Sequence, residues 1–242
     1  MPVLLEVCVT SVESAVAAAR GGAARVELCS DLLEGGVTLS AGLIAGVRER
    51  VRIGLHVLVR PRAGDFCYGT DELAVMEEDL RTVKRLGADG VVVGVLHPDG
   101  RIDVERTRRL VELARPMSVT FHRAFDVADD RPRALEEVIA TGADRLLTSG
   151  GAPSAEAGTL AALVRAAGER LVVMAGGGVR AHNARALVEA TGVREVHAGL
   201  EEAVDGPMVH RPTLTLGPAE REHRRFLVRE ETVRAFVNTL SS

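Results

Sequence analysis

The chain has almost no aromatic side chains: no Trp, one Tyr and five Phe among 242 residues. A large core must therefore be built from Val, Leu, Ile and Ala, which suits a parallel sheet covered by helices. The stacking platforms of single-strand nucleic-acid binders are missing too. Net charge is −4 and the basic residues are spread along the chain. That leaves no electrostatic footprint for nucleic acid, which is not an expected partner. No run approaches the ~18 apolar residues of a membrane span. The start, Met1-Pro2-Val3-Leu4-Leu5-Glu6, lacks the basic n-region of a signal peptide. A cytoplasmic protein without a membrane partner is expected. Lysine is nearly absent as well: Lys84 is the sole one, and it falls in a helical stretch. A Schiff-base mechanism is thereby excluded. No Walker motif, His-x-x-Glu-His, Ser-His-Asp order or dinucleotide fingerprint occurs. The cysteines number three, Cys8, Cys29 and Cys67, without C-x₂-C spacing. An odd count points to thiols or metal ligands rather than disulfides, and the spacing excludes a four-coordinate structural zinc site.

What is present is an alternation. Eight short apolar runs predict strands at Val3–Val9, Arg25–Cys29, Ile53–Arg60, Gly90–Val95, Met117–Arg123, Arg145–Thr148, Leu171–Ala175 and Glu195–Ala198. Between them, apolar residues at three- and four-residue steps predict helices over Ser11–Arg20, Asp71–Leu86, Val104–Leu113, Arg133–Ala140, Ala155–Ala166 and His182–Glu189. Strict β-α alternation implies a parallel sheet, and eight units in this length imply a single TIM-type (β/α)₈ barrel. Gly22, Gly87, Gly142 and Gly192 recur before the even-numbered strands, where a left-handed glycine stops a helix. Pro207–Pro218 reads as a proline-marked closing loop and Arg221–Leu240 as a closing helix, with residues 1–242 as one domain.

The chemistry gathers at strand ends, where such barrels work. Glu6-Val7-Cys8 and Glu27-Leu28-Cys29 repeat a Glu-x-Cys pattern on adjacent strands. Residues two apart share a strand face, so both pairs are expected inside the barrel. Facing thiolates hold a soft ion such as Cu(I); the plainer reading is two small buried hydrophobes. On the third strand and its loop, His56, Arg60, Arg62 and Asp65 suggest an anion-binding loop, against a solvated salt-bridged loop. On the fifth, Thr120, His122, Arg123 and Asp126 make His122 a candidate base, ligand or proton shuttle, against a satisfied buried histidine. Thr148 ends the sixth strand, and Gly176, Gly177 and Gly178 follow the seventh, where glycine turns let amides approach an anion. His197 near the end of the eighth lines the same mouth. Two functions stay open. One is Cu(I) binding by Cys8 and Cys29, with His122 or His56 assisting. The other is an enzyme acting on a small phosphorylated or carboxylated ligand, with Glu27, His122 or Asp65 as acid or base and Arg60, Arg62, Arg123 and Gly176–Gly178 around the anion.

These segments resemble the CutC family of copper homeostasis proteins. The likeness is carried by Leu5-Glu6-Val7-Cys8-Val9, Val26-Glu27-Leu28-Cys29, Leu33-Glu34-Gly35-Gly36, Arg60-Pro61-Arg62 and Gly64-Asp65-Phe66-Cys67-Tyr68. It continues through Val119-Thr120-Phe121-His122-Arg123-Ala124-Phe125-Asp126, Leu147-Thr148-Ser149-Gly150 and Met174-Ala175-Gly176-Gly177-Gly178-Val179. The resemblance implies a TIM barrel, a cytoplasmic location, a homo-oligomer (often a dimer), and Cu(I) as the metal, with Cys8 and Cys29 matching the proposed ligands. Cys67 is an additional thiol. Near the eighth strand this chain reads His197-Ala198-Gly199-Leu200-Glu201-Glu202, where the family usually has small residues, often Ser, after the His.

Overall fold

The computed structural model describes residues 3–211, 213, 214, 218 and 221–241. Strands β1 (Leu4–Val9), β2 (Arg25–Leu28), β3 (Gly54–Leu58), β4 (Gly90–Val93), β5 (Ser118–Phe121), β6 (Arg145–Thr148), β7 (Val172–Ala175) and β8 (Glu195–Gly199) pair in chain order, and β8 closes on β1. Every barrel pairing is parallel. Helices α1 (Val12–Arg20), α2 (Ala41–Arg50), α3 (Thr70–Arg85), α4 (Val104–Ala114), α5 (Arg131–Thr141), α6 (Ala157–Ala167), α7 (Ala181–Thr191) and α8 (Glu230–Ser241) complete the (β/α)₈ barrel.

The third, fourth and fifth strands each stop two residues before the apolar run does. There the backbone leaves the ladder for the rim. The Arg60 amide donates to Thr38 Oγ1, and Arg123 opens a 3₁₀ turn, Arg123–Val127. The repeated helix-to-strand junctions follow one plan. Gly22, Gly87, Gly142 and Gly192 all have positive φ, 95°, 78°, 80° and 73°. In the two Gly-Ala-Asp junctions the aspartate pins the preceding strand. Asp89 accepts from the Leu55 amide and Arg48, and Asp144 from the Val119 amide and Arg115.

Two segments differ from the reading of the sequence. Ala41–Arg50 is a helix, capped by Ser40, whose side chain accepts from the Leu43 amide. The predicted closing helix, Arg221–Leu240, is helical only from Glu230. Its first part forms strand β10 (Arg224–Val228), antiparallel to β9 (Glu201–Asp205). Pairing with β9 and a bond from the Val228 amide to Ser14 Oγ hold this segment extended against the helical spacing of its apolar residues. Of the predicted closing loop between these strands, Pro212 and residues 215–217 lie outside the described residues, as do residues 219 and 220 just after it.

The apolar core lies between sheet and helices, where Val7, Val26, Val57, Val91, Val119 and Val196 meet Ile44, Met76, Leu110 and Leu160. The barrel interior is different. It holds a small separate cluster, Cys8, Cys29, Leu58 and Val92, beside Glu6, Arg25, Glu27, His56 and Glu195, all buried. Charged groups fill the space that branched aliphatic residues usually occupy in such barrels.

Candidate functional site

The carboxyl ends of the strands surround a cavity of about 430 Å³. Cys8 of β1 and Cys29, just beyond β2, enter it from adjacent strands. Their sulfurs lie 3.5 Å apart and both are free thiols, 5% and 1% exposed. The contact with Cys29, burial, and the negative charges of Glu27 and Glu201 push the Cys8 thiol well above its ordinary range. Without a metal, Cys8 is thus protonated at neutral pH. Cys67 sits half-buried on the loop after β3, away from the cavity wall.

Beneath the thiols runs a buried charge network. Arg25 Nε donates to Glu6, and its Nη2 donates to Glu195 at 2.6 Å. Arg145 reaches Glu195 at 2.7 Å and Ser118 at 3.0 Å. His197 Nδ1 is 2.7 Å from Glu6 Oε1 and 3.3 Å from Glu27 Oε2. Burial opposes ionisation of Glu6, but the His197 hydrogen bond and the Arg25 charge hold its carboxyl far below the usual range. Glu27 goes the other way. Burial, aided by the Glu6 charge, raises it to about 7 against the pull of His197 and Arg25. Burial lowers His197, and the charges of Glu27 and Glu6 more than reverse that, so its net shift is upward. One carboxylate stays ionised while its neighbour shares a proton near neutrality, an arrangement able to do acid-base work.

Glu6, Glu27 and His197 also offer three metal-ligand atoms within 4.8 Å of one another. Glu6, however, already accepts from Arg25 and His197. A divalent ion there would have to displace or abut a guanidinium, so these donors fit a proton-sharing set better than a metal site.

His122, just past β5, lines the cavity, and burial with the nearby Arg60 charge lowers it to about 3. Its Nδ1 accepts from the Ala124 amide, which places the proton of the neutral ring on Nε2. That nitrogen has no hydrogen-bond partner. His122 therefore presents a donor, not a lone pair for a metal. Its ring fits because β4 is followed by Gly94. A Cβ there would lie 2.5 Å from His122 Cε1. Gly94→Ala is expected to destabilise the fold by about 1–3 kcal/mol through overpacking. It should also shift the His122 ring resonances, since the ring is wedged against Phe66 with centroids 4.9 Å apart. Urea midpoints and imidazole NMR check both.

The structure brings Cys8, Cys29, Glu27, Arg60, His122, Arg123, Gly177, Gly178 and His197 to one cavity. Other candidates fall elsewhere. Arg62 and Asp65 do not reach it: Arg62 is bound to Asp65 at 3.0 Å and to Glu72 at 2.5 Å on the exposed loop. Glu6 and His56 lie below the cavity, and burial lowers His56 to about 4. Thr148 donates to Asp126 Oδ1 at 2.5 Å and shapes the turn after β6. Gly176 clears Leu147, whose Cδ1 would lie 2.5 Å from a Cβ there. Arg25, Arg145 and Glu195 are functional neighbours that the sequence reading passed over. Their signal was the two-residue period: Arg25 shares a face with Glu27, and Glu195 with His197.

The CutC family profile matches residues 3–202. The chain belongs to the CutC family. A CutC family protein of Xanthomonas campestris is 51% identical over 210 residues, covering 86% of this chain and 87% of that protein. The mouse protein named copper homeostasis protein cutC homolog is 46% identical over 225 residues, covering 92% and 83%. A crystal structure described as a copper homeostasis protein CutC of Streptococcus agalactiae matches with a TM-score of 0.75 and 33% identity, covering 81% of this chain and 97% of that one. Among the described residues of this CutC chain, no helix is long and apolar enough to cross a membrane.

Proposed function

We propose that this CutC chain serves copper homeostasis by holding one Cu(I) ion between the Cys8 and Cys29 thiolates. The observation that carries the reading is the pair of free, buried sulfurs 3.5 Å apart in the wall of the mouth cavity. Soft thiolates select Cu(I), and adjacent strands supply them without any loop rearrangement. Loading must displace the Cys8 proton, so affinity rises as pH rises, by about tenfold per pH unit for that proton. His122, whose free ring nitrogen carries the proton, is not a third ligand. The reading carries with it a cytosolic setting, where thiols stay reduced. It also carries residues 1–242 acting as one barrel domain, and assembly as a homodimer.

Anaerobic Cu(I) titration against a chelator of known affinity tests it. Wild type is expected to bind one ion. Cys8→Ser and Cys29→Ser should each lose more than about 100-fold in affinity, since even an outer-shell change costs 10–100-fold. Cys67→Ser should bind as wild type does. Equal binding by all four proteins would refute the thiolate pair.

A further inference from the structure

We propose that the side of the mouth formed by the ends of β5, β6 and β7 is a binding site for small phosphorylated molecules, distinct from the thiol pair. After β7 the chain passes through Gly177 (φ 86°) and Gly178 (φ 67°), both in the cavity wall, and enters the eleven-residue helix α7. Neither glycine amide donates a hydrogen bond among the described residues. Unused amides in a glycine turn leading into a helix can cradle an anion. The two glycines also let polar groups come close. A Cβ at 178 would lie 2.7 Å from Ser154 Oγ, and one at 177 would lie 3.4 Å from Arg123 Cζ. A hydroxyl and a guanidinium therefore flank the turn.

Charge supplies the second, independent observation. Arg25 and Arg145 are offset by Glu6 and Glu195, and Arg123 by Asp126 at 2.7 Å. His197 stands between Glu6 and Glu27. Two arginines in the cavity wall pair with no carboxylate among the described residues. Arg180 is exposed at the rim, and its guanidinium donates only to the carbonyl of Val179. Arg60 is 4% exposed; it donates to the carbonyls of Glu34, Gly36 and Gly64, and its Nε has no partner. A buried cation without a counter-charge is costly, and an anion in the cavity relieves that cost. The His122 Nε2 proton, also buried and unpartnered, faces the same demand for an acceptor.

The donor set exceeds what a carboxylate can use. Two amides, Arg123, Arg180 and the His122 ring converge on the cavity from two different strand ends, which suits a tetrahedral group. The unoffset charge of Arg180 beside the turn, with that of Arg60 elsewhere in the same cavity wall, favours an anion. The volume leaves room for a short carbon body beside the phosphate, reaching toward Glu27 and His197.

The test is an amide NMR titration of the metal-free full chain with inorganic phosphate, then with glycerol 3-phosphate. Saturable shifts of the Gly177 and Gly178 amides are expected with at least one of them. Arg180→Ala should weaken that binding about tenfold, the scale of one charge-assisted contact. Arg85→Ala, on the far-side helix α3, should leave it unchanged. Cys8→Ser should also leave it unchanged, which separates this site from the copper reading. Absence of saturable shifts at those amides up to about 10 mM of either ligand would overturn the proposal. So would equal affinities for Arg180→Ala and Arg85→Ala.

Discussion

Replacing Arg25 by Met is expected to lower the folding free energy by about 3–5 kcal/mol, among the larger losses open to a single substitution in this chain. Arg25 is 8% exposed and binds two carboxylates at once, Glu6 and Glu195. Methionine fills similar space but leaves Glu6 with His197 and the more distant His56, and Glu195 with Arg145. The cost is that of carboxylates still buried after their counter-charge has gone, not the net worth of the pair. A double substitution distinguishes these. Adding Glu6→Gln to Arg25→Met should recover part of the loss, because the amide is neutral, and a mutant cycle reads the coupling. Urea midpoints measure it. A loss under about 1 kcal/mol for Arg25→Met would mean that water enters the barrel and screens the network.

The second large effect is a pH slope of unusual origin. Between pH 5.5 and 4.5, the unfolded chain holds His56 and His122 protonated, since their ordinary value is 6.5, while the folded chain keeps them neutral down to about 4 and about 3; His197, raised by folding, is protonated in both states there. Taken alone, the two histidines make the unfolded state bind two more protons. Glu27 opposes them. Folding raises it from 4.5 to about 7, so in this window the folded state holds one proton that the unfolded state lacks. The net excess is about one proton in the unfolded state. Stability should therefore fall by about 1.4 kcal/mol per pH unit as pH drops through this window. Below 4.5, Glu6 adds to the fall. Its folded value is depressed, so the stability it gives above 4.5 is lost as acid protonates it. Glu27→Gln removes the opposing group and should steepen the slope to about two protons, near 2.7 kcal/mol per pH unit. Urea melts at half-unit intervals decide it. An unchanged slope in Glu27→Gln would show that Glu27 does not hold its proton in the fold.

The barrel was legible because its strands are short β-branched runs and its junctions repeat a glycine. The Glu-x-Cys face was legible because strand periodicity is two. The charge network was not. Nothing in a linear sequence says that Arg25 on β2 will meet Glu195 on β8, since closure sets which inward residues share a level. Arg62 and Asp65 show the complementary failure. Their position after a strand end was readable, but the loop turns them toward Glu72 rather than toward the cavity. Helix α2 escaped notice because Ala41–Arg50 carries two glycines and few buried positions, Ile44 and Val47. The β9–β10 hairpin escaped because its second strand continues into a helix without a break in apolar spacing.

Barrel closure has a consequence for the sulfur pair. Cys8 sits within a hydrogen-bonded ladder and Cys29 is tied to it by its own amide, which donates to the Val9 carbonyl. The spacing of their backbones is thus fixed by the stagger of β1 against β2, and that stagger is shared around all eight strands. Changing it would require shearing the whole ring. On the proposed Cu(I) reading, substitutions in the rim loops would alter how fast an ion enters or leaves, while the backbone spacing that carries the two thiols stays the same. On and off rates at this site should vary together among loop variants, with their ratio nearly constant.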